Sequence, residues 1–364
     1  MPDESDFPSD VEVIKQRKKE GIIIPLTRNV QAKESSTYLE DVKLIHNALP
    51  EIDYDKIDIS QKFLNHNFSA PIIIDSMTGG TPEATKINSR LSLVAEKFGL
   101  GMGLGSQRAG LLSSELSETY SIARSNAPSS FLVANIGGAQ LSKGLKIQDI
   151  KKMIDMIEAN ALVVHLNPLQ ELIQPEGEPK YKGVLSKIKD ICENFDIPII
   201  VKEVGAGISM EVAKKLESAG VSAINIAGSG GTSWAGVEKL RAETAHDADK
   251  INLGELFWDW GIPTALSLME VRNSVKLPLI ASGGIRNGLE IAKCITLGAN
   301  MCGMAFPFLK YASKSLESLC GFTNKTLTEL KSTMFLVGSK NIAELSKSRF
   351  IVTGELAKVK KWIL

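Results

Sequence analysis

The sequence has few cysteines and histidines, no excess of either charge, and no long apolar run. Lysine plus arginine and aspartate plus glutamate both number 42, so the composition gives no sign of a nucleic-acid or membrane-surface partner. Apolar runs are of strand length, which argues against a transmembrane helix. The acidic opening MPDESDFPSD lacks the apolar region of a signal peptide, so we expect a cytoplasmic protein. The four cysteines lack metal-site spacing, which favours reduced, buried thiols: Cys192, Cys294, Cys302 and Cys320.

Eight apolar, β-branched segments recur at fairly regular intervals along the chain. They are residues 71–75, 100–103, 131–135, 162–166, 198–202, 223–226, 279–282 and 300–304. The stretches between them, such as INSRLSLVAEKFG and KIQDIKKMIDMIEAN, carry apolar residues at helical spacing. Eight strand–helix repeats favour an α/β fold of the (β/α)8 TIM-barrel type over a doubly wound sheet.

The chain is longer than a barrel of about 250 residues requires, so we expect extensions at both ends. Residues 1–14 are expected to be disordered, and residues 15–70 to form an N-terminal arm and a β layer. A hairpin near residues 57–68 would close the bottom of the barrel. The barrel and extra C-terminal helices are expected over residues 71–364. Residues 228–260 form an unusually long connection, interpreted as a lid that rests on a ligand.

The pattern of residues 278–306 is typical of a phosphate-binding site. Ser282-Gly283-Gly284 follows one apolar strand, and Gly303-Met304-Ala305 ends the next. Glycines let backbone N–H groups approach a ligand, and a helix starting near Asn287 would add unpaired donors. Loops after the last two strands of a TIM barrel commonly hold phosphate, and Arg286 adds a fixed cation. The alternative is an ordinary, tightly packed strand–helix–strand turn.

Residues at the C-terminal ends of the strands form one candidate site, because TIM-barrel active sites lie there. Amides, hydroxyls, glycines and one lysine suit a flat cofactor with a phosphate tail, such as FMN. The candidate cofactor-binding residues are Met77, Thr78, Gly79, Ser106, Asn135, Lys202, Thr232, Gly283, Gly284, Arg286, Ala305 and Phe306. Lys202 would place positive charge beside flavin N1. The alternative role for Lys202 is a structural ion pair with Glu203 or another barrel carboxylate.

The segment from His165 to Glu171 crowds four polar side chains, with Asn167 and Gln170 between them. A strand-end histidine is often a hydrogen-bonded core residue, but four such groups together indicate a ligand or a network. Glu171 is not part of a His/Cys cluster, so zinc is not expected. One carboxylate plus phosphate oxygens is typical of Mg²⁺.

Basic and amide side chains elsewhere are candidates for an anionic substrate. Gln107 and Arg108 are expected at the same rim as the His165 segment. Arg17 and Lys18 lie in a basic cluster over residues 15–20, which is either a solvated surface or an arm over the substrate.

Taken together, the motifs resemble those of the type 2, flavin-dependent isopentenyl diphosphate isomerases. The matching motifs are RK (17–18), SSTYLEDVKLIHNALP (35–50), MTGG (77–80), GSQR (105–108), ANIG (134–137), HLNPLQE (165–171), VKEVG (201–205), GGTSW (230–234), DWGIPTA (259–265), SGGIR (282–286) and GMA (303–305). The resemblance implies interconversion of isopentenyl and dimethylallyl diphosphate, with reduced FMN, NADPH as reductant, and Mg²⁺. A homo-oligomer of four or more subunits is expected by analogy.

The resemblance also implies roles for individual residues. Gln170 would lie beside the carbon skeleton of the substrate, Glu171 would bind Mg²⁺, and Trp234 would line the apolar side of the site. Residues implied around the diphosphate are Arg17, Lys18, Ser106, Gln107, Arg108, His165 and Asn167. The candidate catalytic residues are Gln170, His165 and Lys202. Two positions depart from the family pattern: Gly21 stands where a histidine is usual, with Lys19 as a candidate replacement, and Ala227 stands where serine is common.

Two alternative functions remain open at this point. An FMN-dependent 2-hydroxy acid oxidase needs a histidine base and, three residues later, an arginine. The four histidines are His46, His66, His165 and His246, and three residues beyond the last two stand Pro168 and Asp249. The second alternative is a flavin-binding homologue without isomerase turnover, weakened at Gly21.

Overall fold

The computed structural model describes residues 10–359 and begins with elements that precede the barrel. They are helix α1 (Asp10–Thr27), strand β1 (Val42–Leu44) and a hairpin of β2 (Gln61–Phe63) and β3 (His66–Phe68). The expectation of disorder is wrong for residues 10–14, which begin α1; residues 1–9 lie outside the described residues. Gly21 and Pro25 interrupt the periodicity of α1, so its stability comes from packing on neighbouring helices rather than from local sequence.

The eight predicted strands form a closed parallel barrel. They are β4 (Ile72–Ile74), β5 (Gly101–Gly103), β6 (Leu132–Gly137), β7 (Ala161–Leu166), β8 (Ile199–Glu203), β9 (Ala223–Asn225), β10 (Leu279–Ala281) and β11 (Met301–Met304). Neighbours in sequence pair throughout, and β11 returns to β4 with Gly303 opposite Ile73. The TIM-barrel prediction is therefore confirmed.

Alternation along the strands creates two separate cores. In β4, Ile72 and Ile74 pack outward against the helices, whereas Ile73 faces the barrel interior. In β6, Leu132 faces outward and Val133 inward in the same way. Successive side chains of a strand point to opposite faces, so the inward set continues at every second position towards the C-terminal end.

The hairpin of β2 and β3 closes the N-terminal end of the barrel, as predicted. Phe63 and Phe68 belong to the interior core and contact each other edge to face at 6.4 Å. Phe68 also meets Phe131, which lies just before β6, at 5.3 Å. With this end filled by aromatic rings, the opposite end is the open one.

Helices follow the strands and surround the barrel. They are α2 (Pro82–Phe98), α3 (Ser114–Asn126), α4 (Gly138–Ser142), α5 (Ile147–Met156), α6 (Pro168–Ile173), α7 (Val184–Asn194), α8 (Met210–Ser218), α9 (Trp234–Thr244), α10 (Ala248–Leu256), α11 (Thr264–Ser274), α12 (Gly288–Thr296) and α13 (Phe306–Lys314). Local sequence sets the boundaries of α2: the Thr81 hydroxyl accepts from Ala84 N, Pro82 follows, and Gly99 ends the helix at φ 58°.

The long connection after β9 contains two helices rather than an irregular loop. Helices α9 and α10 pack on each other, and α9 also contacts α1. Beyond the barrel lie α14 (Leu316–Val337), α15 (Ile342–Leu345), β12 (Phe350–Val352) and α16 (Gly354–Val359). Strand β12 pairs antiparallel with β1, so a segment before the barrel meets one after it. Across the described range, no helix is both long and apolar enough to cross a membrane.

Candidate active site

The inward positions become polar at the C-terminal ends of the strands. Continuing the alternation by two residues beyond Ile73, Val133, Val163, Ile200, Ala223 and Ile280 gives Asp75, Asn135, His165, Lys202, Asn225 and Ser282. His165 and Lys202 are directly opposite each other in the register of β7 and β8. A layer of polar side chains thus forms the floor of the open end.

Above this floor lies a cavity with about 1120 Å³ of empty space, part of it open to solvent. Most of the residues that the sequence singled out line it: Arg17, Lys18, Met77, Thr78, Ser106, Asn135, His165, Asn167, Gln170, Glu171, Lys202, Trp234 and Ala305. Helix α1 contributes the first two of these, so Arg17 and Lys18 of the basic cluster face the cavity.

A second cavity of about 480 Å³ adjoins the first, and Lys202, Trp234 and Ala305 line both. It collects the candidate phosphate residues Thr232, Gly283, Gly284, Arg286, Ala305 and Phe306. Asp75, which the sequence analysis did not single out, also lines this cavity.

Three predicted site residues do not line either cavity. Gly79 packs beneath Tyr120, where an added Cβ would come within 1.9 Å of the ring. Gln107 is fully buried, and its side chain donates to Met153 O at 2.8 Å and accepts from Asn135 N at 3.1 Å. Arg108 follows it on a short 3-10 turn (Gln107–Leu111). Gly79 and Gln107 pack behind the site, and Arg108 lies outside both cavity linings.

Glycines bring the loops after β9 and β10 into backbone contact. A Cβ on Gly283, at φ 97°, would lie 2.1 Å from Gly228 O, and one on Gly231 would lie 2.6 Å from Gly284 Cα. Side chains are excluded there, which leaves backbone groups to face a ligand.

The helix N-terminus that lines this cavity is that of α13 and not that of α12, which the sequence indicated. In α12 the Asn287 side chain accepts from Glu290 N at 2.9 Å, so that helix is already capped. Helix α13 begins at Phe306 beside the cavity without a side-chain cap. Arg286 packs 5.0 Å over the Phe306 ring and donates to Gln31 Oε1 at 2.7 Å. The cradle thus combines a helix N-terminus with a fixed guanidinium, a suitable arrangement for phosphate.

The residues present fit FMN. The Thr78 hydroxyl is buried on the cavity wall without a hydrogen-bond partner among the described residues. A buried hydroxyl is normally satisfied, so a polar ligand edge beside Thr78 would complete it. The glycine cradle lies on the other side of Lys202, at a suitable place for the cofactor's phosphate tail.

Lys202 is held by specific partners in the floor. Its Nζ lies 3.2 Å from Asp75 Oδ2 and donates to Glu203 O at 2.9 Å. The carboxylate of Glu203 turns instead to the loop after β8 and accepts from Val204 N and Gly205 N, both at 2.6 Å. Burial raises the pKa of Glu203 to about 7.

His165 is linked to its neighbours through Asn135. Nδ1 of His165 lies 2.8 Å from Asn135 Oδ1, and Asn135 Nδ2 donates to Leu104 O at 2.8 Å. Burial, together with the positive charges of Lys202 and Lys18, lowers the pKa of His165 to about 3. The imidazole is therefore neutral at pH 7.

The segment after β7 forms a compact amide–carboxylate group. Asn167 Nδ2 donates to Gln170 Oε1 at 3.0 Å and lies 3.3 Å from Glu171 Oε1. Tyr181 donates to Asn167 Oδ1 at 2.8 Å, and Glu178 N donates to Glu171 Oε2 at 3.0 Å. Within residues 10–359, no three His, Cys, Asp or Glu side chains form a metal-binding group.

Helix α1 presents Lys18 to the cavity. Lys18 Nζ donates to Ser106 O at 2.9 Å and lies 5.7 Å from the centre of the Tyr120 ring, whose hydroxyl donates to the same carbonyl. Burial and the neighbouring Arg17 lower the pKa of Lys18 to about 7. Lys19, the candidate replacement for the missing histidine, lies on the exposed side of α1 near Glu83 at 3.8 Å.

A buried cluster around Arg241 links α1 to α9. Arg241, on α9 and 8% exposed, contacts Glu20 of α1 at 2.7 Å, Glu176 at 2.8 Å and Glu238 at 2.6 Å. The same Glu238 accepts from Gln170 Nε2 at 2.8 Å. We name Arg241, Glu20, Glu176 and Glu238 the Arg241 cluster. The sequence analysis missed it because its members come from three distant segments.

Comparison with known proteins agrees with this geometry. The family model described as FMN-dependent dehydrogenase matches residues 135–352. An isopentenyl-diphosphate delta-isomerase of Methanothermobacter thermautotrophicus is 47% identical over 342 residues, covering 94% of both chains. One from Pyrococcus abyssi is 46% identical over 356 residues, covering 96% of this chain and 94% of the relative.

Solved structures share the fold at low identity. A mandelate oxidase mutant carrying an FMN adduct has a TM-score of 0.64 at 16% identity, covering 95% of this chain and 100% of that one. A protein described as a putative lactate oxidase of Pediococcus acidilactici has a TM-score of 0.67 at 14% identity, covering 97% of both chains. The two isomerases of Methanothermobacter and Pyrococcus match nearly the whole chain at 46–47% identity. The chain therefore belongs to the isopentenyl-diphosphate delta-isomerase family.

Proposed function

We propose that this protein interconverts isopentenyl and dimethylallyl diphosphate by acid–base chemistry that depends on reduced FMN. The observation that carries the proposal is the convergence, around one cavity, of two cations from α1, the Gln170–Glu171 pair and Lys202. The reaction moves a double bond by adding a proton at one end of the allylic system and removing one from the other. It consumes no electrons.

FMN is proposed to place its phosphate in the glycine cradle and its ring above the polar floor. The contacts between Gly283 and Gly228 and the uncapped start of α13 support the phosphate position. Lys202 would lie beside the pyrimidine part of the ring, and Thr78 would bond its polar edge. When bound in reduced form, FMN supplies a ring that exchanges protons with the substrate.

The diphosphate is proposed to lie under α1. Arg17 and Lys18 would bind it through charge. The neutral His165, whose single N–H faces Asn135 Oδ1, would lie beside it without adding another cation. Glu171 would hold Mg²⁺, with phosphate oxygens and water completing the coordination. The hydrogen bond from Glu178 N, which orients the Glu171 carboxylate, supports this role.

The hydrocarbon part is proposed to lie between Gln170 and Trp234. Glu238 accepts a hydrogen bond from Gln170 and so fixes the amide in one orientation. Trp234 begins the lid helix α9 and would exclude water from the reacting carbons. Binding energy from the diphosphate would hold the hydrocarbon against the ring.

NADPH is proposed as the reductant that brings FMN to its active state before turnover. A cytoplasmic location and a homo-oligomer of four or more subunits are also proposed, on the strength of the sequence pattern and the family resemblance.

An anaerobic assay with FMN, NADPH, Mg²⁺ and isopentenyl diphosphate tests the function. We expect dimethylallyl diphosphate to form. Bound FMN without product would favour the flavin-binding homologue without turnover. Oxygen-dependent oxidation of lactate or glycolate, with no isomerisation, would favour the oxidase, although neither His165 nor His246 has an arginine three residues later.

A further inference from the structure

Asp75 lies at the end of β4 with 5% of its surface exposed, between the floor of the site and the phosphate cavity. Its Oδ2 lies 3.2 Å from Lys202 Nζ. Ser76 N donates to Oδ1 at 2.9 Å, and Asn225 Nδ2 lies 3.3 Å from Oδ2. A carboxylate with these partners is held as an acceptor directed at the lysine.

The pair leaves part of Lys202 available. An ammonium group has three N–H donors. One meets Asp75 and one meets Glu203 O, so a third remains for the two cavities that Lys202 lines. A ligand beside Lys202 is consequently exposed to the combined field of Lys202 and Asp75 and not to that of an isolated cation.

Packing keeps the pair at a fixed separation. Ser282 Oγ donates to Asn225 Oδ1 at 2.6 Å, which orients the amide towards Asp75. On the other side, a Cβ at Gly303 would come within 2.8 Å of Asp75 Oδ2, so glycine there leaves just enough room for the carboxylate. Asp75 thus has neighbours on both sides that restrict its movement.

We propose that Asp75 is a positioning residue for Lys202 and that its negative charge offsets the field of that lysine at a bound flavin ring. The inference rests on the cofactor placement of the proposed function. A cation alone beside N1 stabilises the anionic reduced ring and raises the reduction potential. The carboxylate opposes both effects, so the reduced ring keeps its N1 proton more firmly. A ring that exchanges protons rather than electrons benefits from this balance.

The test is the midpoint potential of the FMN-loaded protein with Asp75→Asn. We expect the oxidised–reduced equilibrium to shift at least tenfold towards the reduced form, which is about 30 mV for a two-electron couple. The spectrum of the reduced flavin should also remain anionic to lower pH. Lys202→Met should shift the potential in the opposite direction.

Controls separate this effect from general disturbance of the fold. Asp75→Ser removes the same charge with a smaller side chain and should shift the potential in the same direction, which covers the case in which the asparagine variant does not fold. Glu96→Gln removes a carboxylate that accepts from Ser129 and Ser130 at the far end of the barrel, and should leave the potential unchanged.

The outcomes are distinct. If FMN binds and neither Asp75 variant changes the potential or the ionisation of the reduced ring, the inference is wrong while the proposed function stands. A lower potential in both variants would also overturn it. If the unmodified protein takes up no FMN, the cofactor placement itself fails.

Discussion

Replacing Glu20 with glutamine tests whether the Arg241 cluster holds α1 over the substrate. Glu20 lies 2.7 Å from Arg241, which is 8% exposed and remains paired with Glu176 and Glu238. The substitution keeps the size of the side chain and removes the charge that links α1 to α9. Since α1 carries Arg17 and Lys18 to the cavity, loosening it should weaken substrate binding.

The expected size of the effect on KM follows from the charged hydrogen bond between Glu20 and Arg241. A hydrogen bond to a charged group contributes about 1.5–3 kcal/mol. The lower end applies because Arg241 keeps two carboxylates, and about 1.4 kcal/mol is a tenfold change in binding. We expect Glu20→Gln to raise KM about tenfold with kcat changed less than about threefold, since in the proposed arrangement α1 contacts the diphosphate in ground and transition states alike.

Steady-state isomerase kinetics and hydrogen exchange across α1 measure the effect. The matched control is Lys19→Met, which breaks the exposed 3.8 Å contact with Glu83 on the same helix and should change KM less than about threefold. If Glu20→Gln left both KM and exchange in α1 unchanged, the cluster would not be the link between α1 and the site. A fall in kcat at constant KM would equally refute the reasoning.

Three further predictions follow from the site. Glu171→Gln should lower the apparent Mg²⁺ affinity at least tenfold in a titration of activity, with FMN still bound, because the proposed metal ligand loses its charge. Because the pKa of Lys18 is about 7, kcat/KM should fall as pH rises through 7 and the lysine loses its proton. Lys18→Arg should abolish that fall, since arginine stays charged. Gly231→Ala should weaken FMN uptake and cost about 1–3 kcal/mol of unfolding free energy, because its Cβ would lie 2.6 Å from Gly284 Cα. As the matched control for Gly231→Ala, Gly321→Ala adds a Cβ at an exposed position of α14 with no atom within 4 Å, and it should stabilise by about 0.5–1 kcal/mol in thermal unfolding.

Contrary results would remove specific assignments. An unchanged Mg²⁺ titration would exclude Glu171 as a ligand. A kcat/KM profile that is the same in the wild type and Lys18→Arg would assign the titration to another group, Glu203 being the nearest candidate by its pKa. Normal FMN uptake in Gly231→Ala would show that the two loops move apart without loss of the phosphate site.

The barrel and most of the site were predictable because they depend on local patterns. Eight apolar segments of strand length define the barrel, and alternation within six of the strands places a polar residue two positions beyond an inward apolar one. His165, Asn135 and Lys202 follow from this rule. Asp75 also follows from it, but its pairing with Lys202 has no local signal, because β4 and β8 lie on opposite sides of the barrel.

The features that the sequence did not predict depend on contacts between distant segments. Glu20 and Arg241 are 221 residues apart and carry no local signal of their pairing. Gln107 and Arg108 adjoin Ser106, which does line the cavity, but the 3-10 turn after Ser106 rotates Gln107 into the interior. Linear proximity to a site residue therefore did not predict which way these side chains point. The pairing of β1 with β12 was missed for the same reason.

The most direct test of the account is turnover in D₂O by protein stripped of its flavin and then reconstituted. The account predicts dimethylallyl diphosphate carrying deuterium from solvent when reduced FMN is present, and no product when FMN is left out. Product formed equally well without FMN, or no product with it bound, would contradict the account.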